Sequence, residues 1–272
     1  MQKNVVHEYL RKNKKFPHIW CPGCGHGIIM SSMLRAVDKA GLDKDDVAVI
    51  SGIGCSSRTP TYVDFNTIHT THGRALAFAT GLKLAKPDMT VIVVMGDGDA
   101  VGIGGNHFIH AARRNMDLKV IVYNNNIYGM TGGQASPTTP SGKIATTARY
   151  GNIERSFDIC ALAKATGAVY VARSTTYHVQ ALERYIYRSL SRKGLTVVEA
   201  MTHCPTTYGR LNEIRDPVDG MIYQKDHFIM KAAWDRLPEE KRKDKFPIGE
   251  FVDIEKTDFV SKYQRLIETN KE

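Results

Sequence analysis

The chain has 272 residues, 42% of them hydrophobic and 24% charged, enough for one substantial core with a small appendage. No apolar run approaches the roughly 20 residues of a membrane helix. The N-terminus, MQKNVVHEYLRKNKKF, lacks the apolar stretch of a secretory signal, so a cytoplasmic protein with no membrane partner is expected. The net charge of +9 raises nucleic acid as a partner, but the excess sits in RKNKK (11–15), RRN (113–115), RSLSRK (188–193) and EEKRKDK (239–245), without a helix-turn-helix, RRM or zinc-finger pattern. Nucleic acid is therefore not expected; these runs are solvated faces or a docking point for an acidic protein.

In chain order, residues 1–17 read as a basic arm, and a helical pattern follows over 25–40. VAVIS (47–51) is apolar, β-branched and too short for a helix, which predicts a buried strand. A helix over 72–86, the strand TVIVVMG (90–96), a helix over 104–115 and the strand LKVIVYN (118–124) come next. GQASPTTPSGKIATTARYGN (133–152) is too rich in Pro, Gly, Ser and Thr for either element, and so long a loop is expected to lie over a site. A helix over 156–166, the strand AVYVA (168–172), a helix over 177–192 and the strand LTVVEAM (195–201) complete the pattern. Strands alternating with helices predict an α/β fold with a parallel sheet covered by helices on both faces, spanning residues 18–210. Residues 211–272 lose the strand pattern, become charged, and are expected to form a mostly helical C-terminal extension.

Open parallel sheets bind ligands at the carboxyl ends of their strands. Cys55 follows the first strand, Asp97 the second, Asn124 to Asn126 the third and Cys204 the last, so four polar features share that edge. In VVMGDGDAVGIGGN (93–106), Gly96 and Gly98 allow a sharp turn and close approach of a ligand, while Asp97 is a hard oxygen donor. The block has neither the G-x-G-x-x-G spacing nor the phosphate-loop pattern. A carboxylate repels phosphates unless a cation lies between them. Asp97 is therefore expected to bind Mg²⁺ that in turn binds a diphosphate, with a second oxygen ligand from Asn124–Asn126 one βα unit later.

The five cysteines argue against a disulfide framework. Cys21 and Cys24 form a C-x-x-C, Cys55 and Cys204 add one each, and Cys21 and Cys204 precede proline. By spacing alone this set fits a four-cysteine zinc site or an iron–sulfur centre. Cys160, within FDICALAKATGA, reads as a buried helix residue, and His107 and His110, three apart on a helix, lack a third ligand. Arg58 is either a surface cation or a clamp for a carboxylate.

GDGD followed by NNNIYGMTGGQ resembles the diphosphate-binding half of thiamine diphosphate enzymes. Residues 18–210, with WCPGCGHG, GIGCSSR, HTTHGRALAFATG, IGGNHFIHAARRN and CPTTYGR, resemble the β subunit of 2-oxoacid:ferredoxin oxidoreductases, over about seven-tenths of the chain. The resemblance implies that Asp97, the Asn125 side chain and the Ile127 carbonyl hold Mg²⁺. It implies a thiamine diphosphate site lined by Ile53, Gly54, Cys55, Ser56, His72, Gly96, Gly98, Asp99, Gly129, Met130 and Thr131, with His72 and Arg58 as catalytic candidates. Cys21, Cys24, Cys55 and Cys204 would hold one [4Fe–4S] cluster. The implied reaction is coenzyme A-dependent oxidative decarboxylation of a 2-oxoacid with ferredoxin as electron carrier, or its reverse. Gly132 in YGMTGGQ and the stretch SPTTPSGKIATT resemble the type acting on 2-oxoglutarate; pyruvate or a broad range of 2-oxoacids is the alternative. Thiamine enzymes also need a glutamate that activates the aminopyrimidine, normally on a pyrimidine-binding domain. This chain has room for only one such domain, so an α subunit is expected to bring the glutamate.

Overall fold

A computed structural model describes residues 4–13 and 16–270. Its strands are β1 (Val47–Ser51), β2 (Asn66–His69), β3 (Thr90–Gly96), β4 (Lys119–Asn124), β5 (Ile127–Tyr128), β6 (Gln134–Ala135), β7 (Tyr170–Thr175), β8 (Thr196–Met201), β9 (Phe228–Met230) and β10 (Phe246–Asp253). Eight of them form one sheet in the order β2-β1-β3-β4-β8-β7-β10-β9, while β5 and β6 make a separate small hairpin. Within the large sheet every pairing is parallel except that of β10 with β7.

Successive strand residues point to opposite faces, and each face is apolar. Val91, Val93 and Met95 of β3 pack under the helices Ala75–Ala85, Gly105–Arg113 and Ile159–Thr166, through Leu76, Phe108 and Ile159. Ile92 and Val94 pack under His26–Lys39 and Val179–Ser191, through Ile29, Met33, Leu182 and Ile186. This is the expected parallel sheet with helices on both faces. Among the described residues no helix is long and apolar enough to cross a membrane.

From β1 the chain moves outward to β2, then returns to place β3 on the other side of β1. Such a reversal of direction leaves a crevice between the loops that follow the two strands, the usual ligand position in open α/β sheets. Here those loops begin at Gly52 and Asp97, and the neighbouring ends of β4 and β8 lead into Asn125 and toward Cys204.

Three expectations need correction. Residues 211–272 are not mostly helical: β9 and β10 extend the main sheet, with β10 held antiparallel to β7 from Gly249–Arg173 to Asp253–Tyr170. Pro247, Gly249 and a bulge between Glu250 and Val252 break the apolar pattern by which such a strand is recognised. The N-terminal arm packs onto the domain and is not a separate unit, since Val6 and Leu10 are buried and Arg11 donates to the Val63 carbonyl (2.9 Å) and the Thr67 hydroxyl (2.8 Å). Lys14 and Lys15 of the basic run lie outside the described residues. Finally, the helix expected over 72–86 begins only at Ala75, because His72 and Gly73 form the bend that enters the crevice.

Candidate functional site

Residues from four consecutive strand ends line a cleft at the β1/β3 crevice. The lining includes Ile53, Gly54, Cys55, Ser56, His72, Gly96, Asp97, Gly98, Asp99, Asn125, Ile127, Gly129, Met130 and Thr131, all singled out by the sequence. It also includes His26, Tyr123 and Tyr128, which were not. Arg58, on the short turn Ser56–Arg58, does not line it.

Asp97 directly follows β3 and is 2% exposed, and among the described residues no cation pairs with it. Burial pushes its pKa up, an effect opposed by hydrogen bonds from Ser136 and Thr138. Their hydroxyls donate to Oδ2 at 2.5 and 2.6 Å. The other oxygen, Oδ1, faces the Asn125 amide 3.2 Å away, and the same end of that amide lies 2.8 Å from the Ile127 carbonyl oxygen. The amide oxygen is the atom turned inward. In the chain alone the reversed amide would satisfy both neighbours by donating N–H; around a cation, three oxygens become three ligands. Neighbouring oxygens of an octahedral Mg²⁺ stand about 2.9 Å apart, so the spacing fits that ion. Asn126 makes the convergence possible by adopting φ +60°, a left-handed conformation that Asn tolerates, with its N–H bonded to Asn124 Oδ1 at 3.0 Å.

The loop 133–152 reaches the site through those two hydroxyls, a contribution not anticipated from its sequence. The Thr138 hydroxyl also lies 3.1 Å from Asn124 Oδ1 and can share its one proton between the two acceptors, so it ties the two turns together. Thr138→Val is expected to weaken Mg²⁺ binding by about 10- to 100-fold, the usual cost of losing an outer partner of a metal ligand. Calorimetric Mg²⁺ titration reads this directly, and an unchanged affinity would mean that Asp97 needs no such support.

Asp99 has a different task. Its Oδ1 accepts from Gly73 N (2.7 Å) and Ile53 N (3.3 Å) and lies 2.5 Å from His72 Nδ1, so one carboxylate pins three sides of the cleft. Gly52 must be glycine for this to happen, since a Cβ there would stand 2.2 Å from Asp99 Oδ2. Gly98 likewise accepts no side chain, because its Cβ would lie 2.1 Å from the Tyr128 ring. The Ser56 hydroxyl is buried and unpartnered, as is Asp99 Oδ2. An orphaned hydroxyl at the cleft wall suits an anionic ligand such as a diphosphate.

The cysteines surround the far side. A Cβ placed on Gly129 would stand 3.6 Å from Cys204 Sγ and 3.8 Å from Cys55 Sγ, which puts both sulfurs behind the same wall residue. Cys24 closes the turn begun by Cys21 through its N–H to the Cys21 carbonyl (3.0 Å). Burial raises the Cys24 thiol to about 12, partly offset by the His26 backbone N–H, with Cys55, Cys204 and Cys21 adding to the rise. Cys55 is pushed up to about 11, by burial first and then by Cys204 and Cys21, with the Arg58 charge opposing. The four sulfurs thus share one electrostatic neighbourhood. Among the described residues, however, the one trio of His, Cys, Asp or Glu donors mutually within 4.8 Å is Asp158, Cys160 and Glu199. Cys21, Cys24, Cys55 and Cys204 do not form such a compact group. The compact trio, by contrast, already has its cation: Arg173 binds Glu199 Oε2 at 2.6 Å and Asp158 Oδ1 at 2.5 Å. Cys160 is buried in its helix, as expected. Burial and then Arg74 lower the His107 pKa; His107 lies 2.6 Å from the Arg74 guanidinium, and no metal group forms around it among the described residues.

With about 50 Å³ of enclosed space, the cleft is far smaller than the 300–1,000 Å³ pockets that envelop small ligands. It forms one wall of a site. Met130 and Ile53 in its lining are 43% and 38% exposed, and Tyr150 in the loop 133–152 and Ile153 just after it are almost fully so.

Comparison with known proteins gives the family. The thiamine pyrophosphate enzyme C-terminal TPP-binding domain matches residues 52–200. The 2-oxoglutarate synthase subunit KorB of Methanocaldococcus jannaschii is 51% identical over 264 residues, covering 97% of each chain. A 2-oxoacid:ferredoxin oxidoreductase subunit beta from Sulfolobus sp is 39% identical over 269 residues, covering 92% of this chain and 86% of that one. Among solved structures, the 2-oxoglutarate:ferredoxin oxidoreductase from Magnetococcus marinus, with 2-oxoglutarate, coenzyme A and succinyl-CoA bound, superposes with a TM-score of 0.86 at 31% identity. That match covers 99% of this chain and 91% of the other.

Proposed function

Because the chain belongs to the thiamine pyrophosphate-binding β subunits of the 2-oxoacid:ferredoxin oxidoreductases, among relatives that are 2-oxoglutarate synthases, we propose that its cleft performs the coenzyme A-dependent oxidative decarboxylation of 2-oxoglutarate, or its reversal. The observation that carries the proposal is the meeting, at one wall, of three oxygens spaced for Mg²⁺ and the sulfurs of Cys55 and Cys204. Asp97, Asn125 and the Ile127 carbonyl would hold the ion, and the Ser56 hydroxyl would meet the diphosphate. Asp99 fixes His72 through Nδ1, which leaves Nε2 as the ring nitrogen for a cofactor contact. Met130 and Ile53 offer apolar surface to the rest of thiamine diphosphate and keep water from the reacting carbon.

Thiamine diphosphate supplies the carbanion chemistry at the 2-oxo carbon, and a [4Fe–4S] centre on Cys21, Cys24, Cys55 and Cys204 supplies one-electron acceptance. This chain's part is to hold the two side by side, with Gly129 leaving open the gap that a side chain would fill. Ferredoxin would take the electrons, and an α subunit would bring the pyrimidine domain with its glutamate. Arg58, which stands off the cleft wall, is better read as a charge beside Cys55 than as a substrate clamp.

Serine at Cys24, Cys55 or Cys204 should lower bound iron and ferredoxin reduction severalfold or more, whereas Cys160→Ser should leave both intact. Iron and acid-labile sulfide per chain test the proposal. One equivalent of zinc without sulfide would replace the redox centre by a structural metal.

A further inference from the structure

We propose that His26 tunes the reduction potential of the iron–sulfur centre by donating its Nδ1–H to the Cys24 sulfur, an inference that rests on the reading of Cys24 as a cluster ligand. His26 Nδ1 lies 3.0 Å from Cys24 Sγ. The ring is 1% exposed, held between Trp20 (centroids 5.9 Å apart) and the edge-on ring of Tyr123 (5.1 Å). Trp20 is fixed in turn by its Nε1–H to the Cys55 carbonyl at 2.7 Å, so the clamp that orients the imidazole is anchored on a second cysteine-bearing turn. The same imidazole lines the cofactor cleft. It therefore touches both the place electrons leave and a sulfur of the centre that receives them.

The direction of the bond follows from the sulfur. A thiolate bound to iron carries no proton, so the proton across the 3.0 Å gap belongs to Nδ1. A reduced cluster has one more negative charge than an oxidised one, and a donor to its ligand stabilises that charge. With the donor the centre is easier to reduce; without it, harder. Among the described residues Cys204 has a weaker counterpart in the Thr207 hydroxyl at 3.0 Å, and no other cluster cysteine has a histidine partner.

The test uses the holoenzyme with its α subunit. His26→Phe keeps an aromatic ring and leaves the backbone N–H at the sulfur, so it removes the side-chain donor alone. Iron and sulfide should match the parent, while the EPR-monitored midpoint potential should become more negative. The expected change is on the order of tenfold in the electron-transfer equilibrium, about 59 mV for a one-electron couple. His26→Gln, which can offer an N–H at similar reach, should recover part of it. An iron-replete His26→Phe enzyme at the parental potential overturns the proposal. Should that variant lose its iron, parent enzyme grown on histidine labelled with ¹⁵N in the imidazole ring alone decides: pulsed EPR of the reduced centre should show a ring-nitrogen coupling, and its absence overturns the proposal equally. Parent enzyme lacking iron and sulfide would sink the cluster reading itself, whereas full iron with an unmoved potential sinks only the role of His26.

Discussion

Asp97→Asn is expected to bind thiamine diphosphate in the presence of Mg²⁺ more than about a hundredfold less tightly than the parent and to show no turnover. The substitution preserves shape, and an amide oxygen can still accept from Ser136 and Thr138, so the fold should persist. What disappears is the negative charge. With its oxygen kept on those hydroxyls, the amide turns an NH₂ group toward the metal position, so only two neutral oxygens remain to hold Mg²⁺, and without the ion the diphosphate has nothing to neutralise it. Calorimetric titration of the cofactor settles the matter; equal affinity in mutant and parent would remove Asp97 from the metal site.

The second large effect concerns the chain alone. Isolated from an α subunit it should give no 2-oxoglutarate- and coenzyme A-dependent dye reduction, and activity should appear when that subunit is added. A cleft of about 50 Å³ covers only a fraction of a thiamine molecule, and no glutamate lines it. The half-exposed Met130 and Ile53 in its lining mark where the missing wall would sit. Tyr150 in the loop, Ile153 just after it, Ile103 at 49% and Phe78 at 51% are further exposed apolar side chains. Obligate interfaces are large and apolar at their centre, as this surface would require. Full activity from the isolated chain would show the active site to be complete without a partner.

The elements that were legible are those whose burial is complete. β1 and β3 fall where their apolar runs predict, to the residue, because both faces of each are covered. β2, the exposed tetrapeptide NTIH at the sheet edge, has no apolar run to reveal it. β7 continues through Arg173, Ser174 and Thr175, polar residues that are buried because Glu199, far along the chain, neutralises the arginine. Pairings of that kind are settled by the tertiary fold and leave no local pattern. The site divides in the same way. Asp97 and Asn125 could be matched because one βα unit separates them and oxygen chemistry requires a second ligand. Ser136 and Thr138 could not, since hydroxyls in a Pro- and Gly-rich loop look alike whether they face solvent or a carboxylate. Nearness to Cys55 in sequence suggested a place in the cleft for Arg58, which on the turn Ser56–Arg58 is not among the residues that line it.

Cys55 stands between Gly54 and Ser56 on the bend after β1, and all three line the cofactor cleft. On the proposed assignment of Cys55 to the iron centre, one bend would answer to two cargoes, and their loading would be thermodynamically linked. Whatever order the iron centre imposes on it is order the diphosphate need not impose, and reciprocity makes the preference equal in the other direction. Oxygen damage at the iron would then be felt as weaker vitamin binding although no vitamin ligand had changed. A chain starved of thiamine would, by the same coupling, give up its iron sooner.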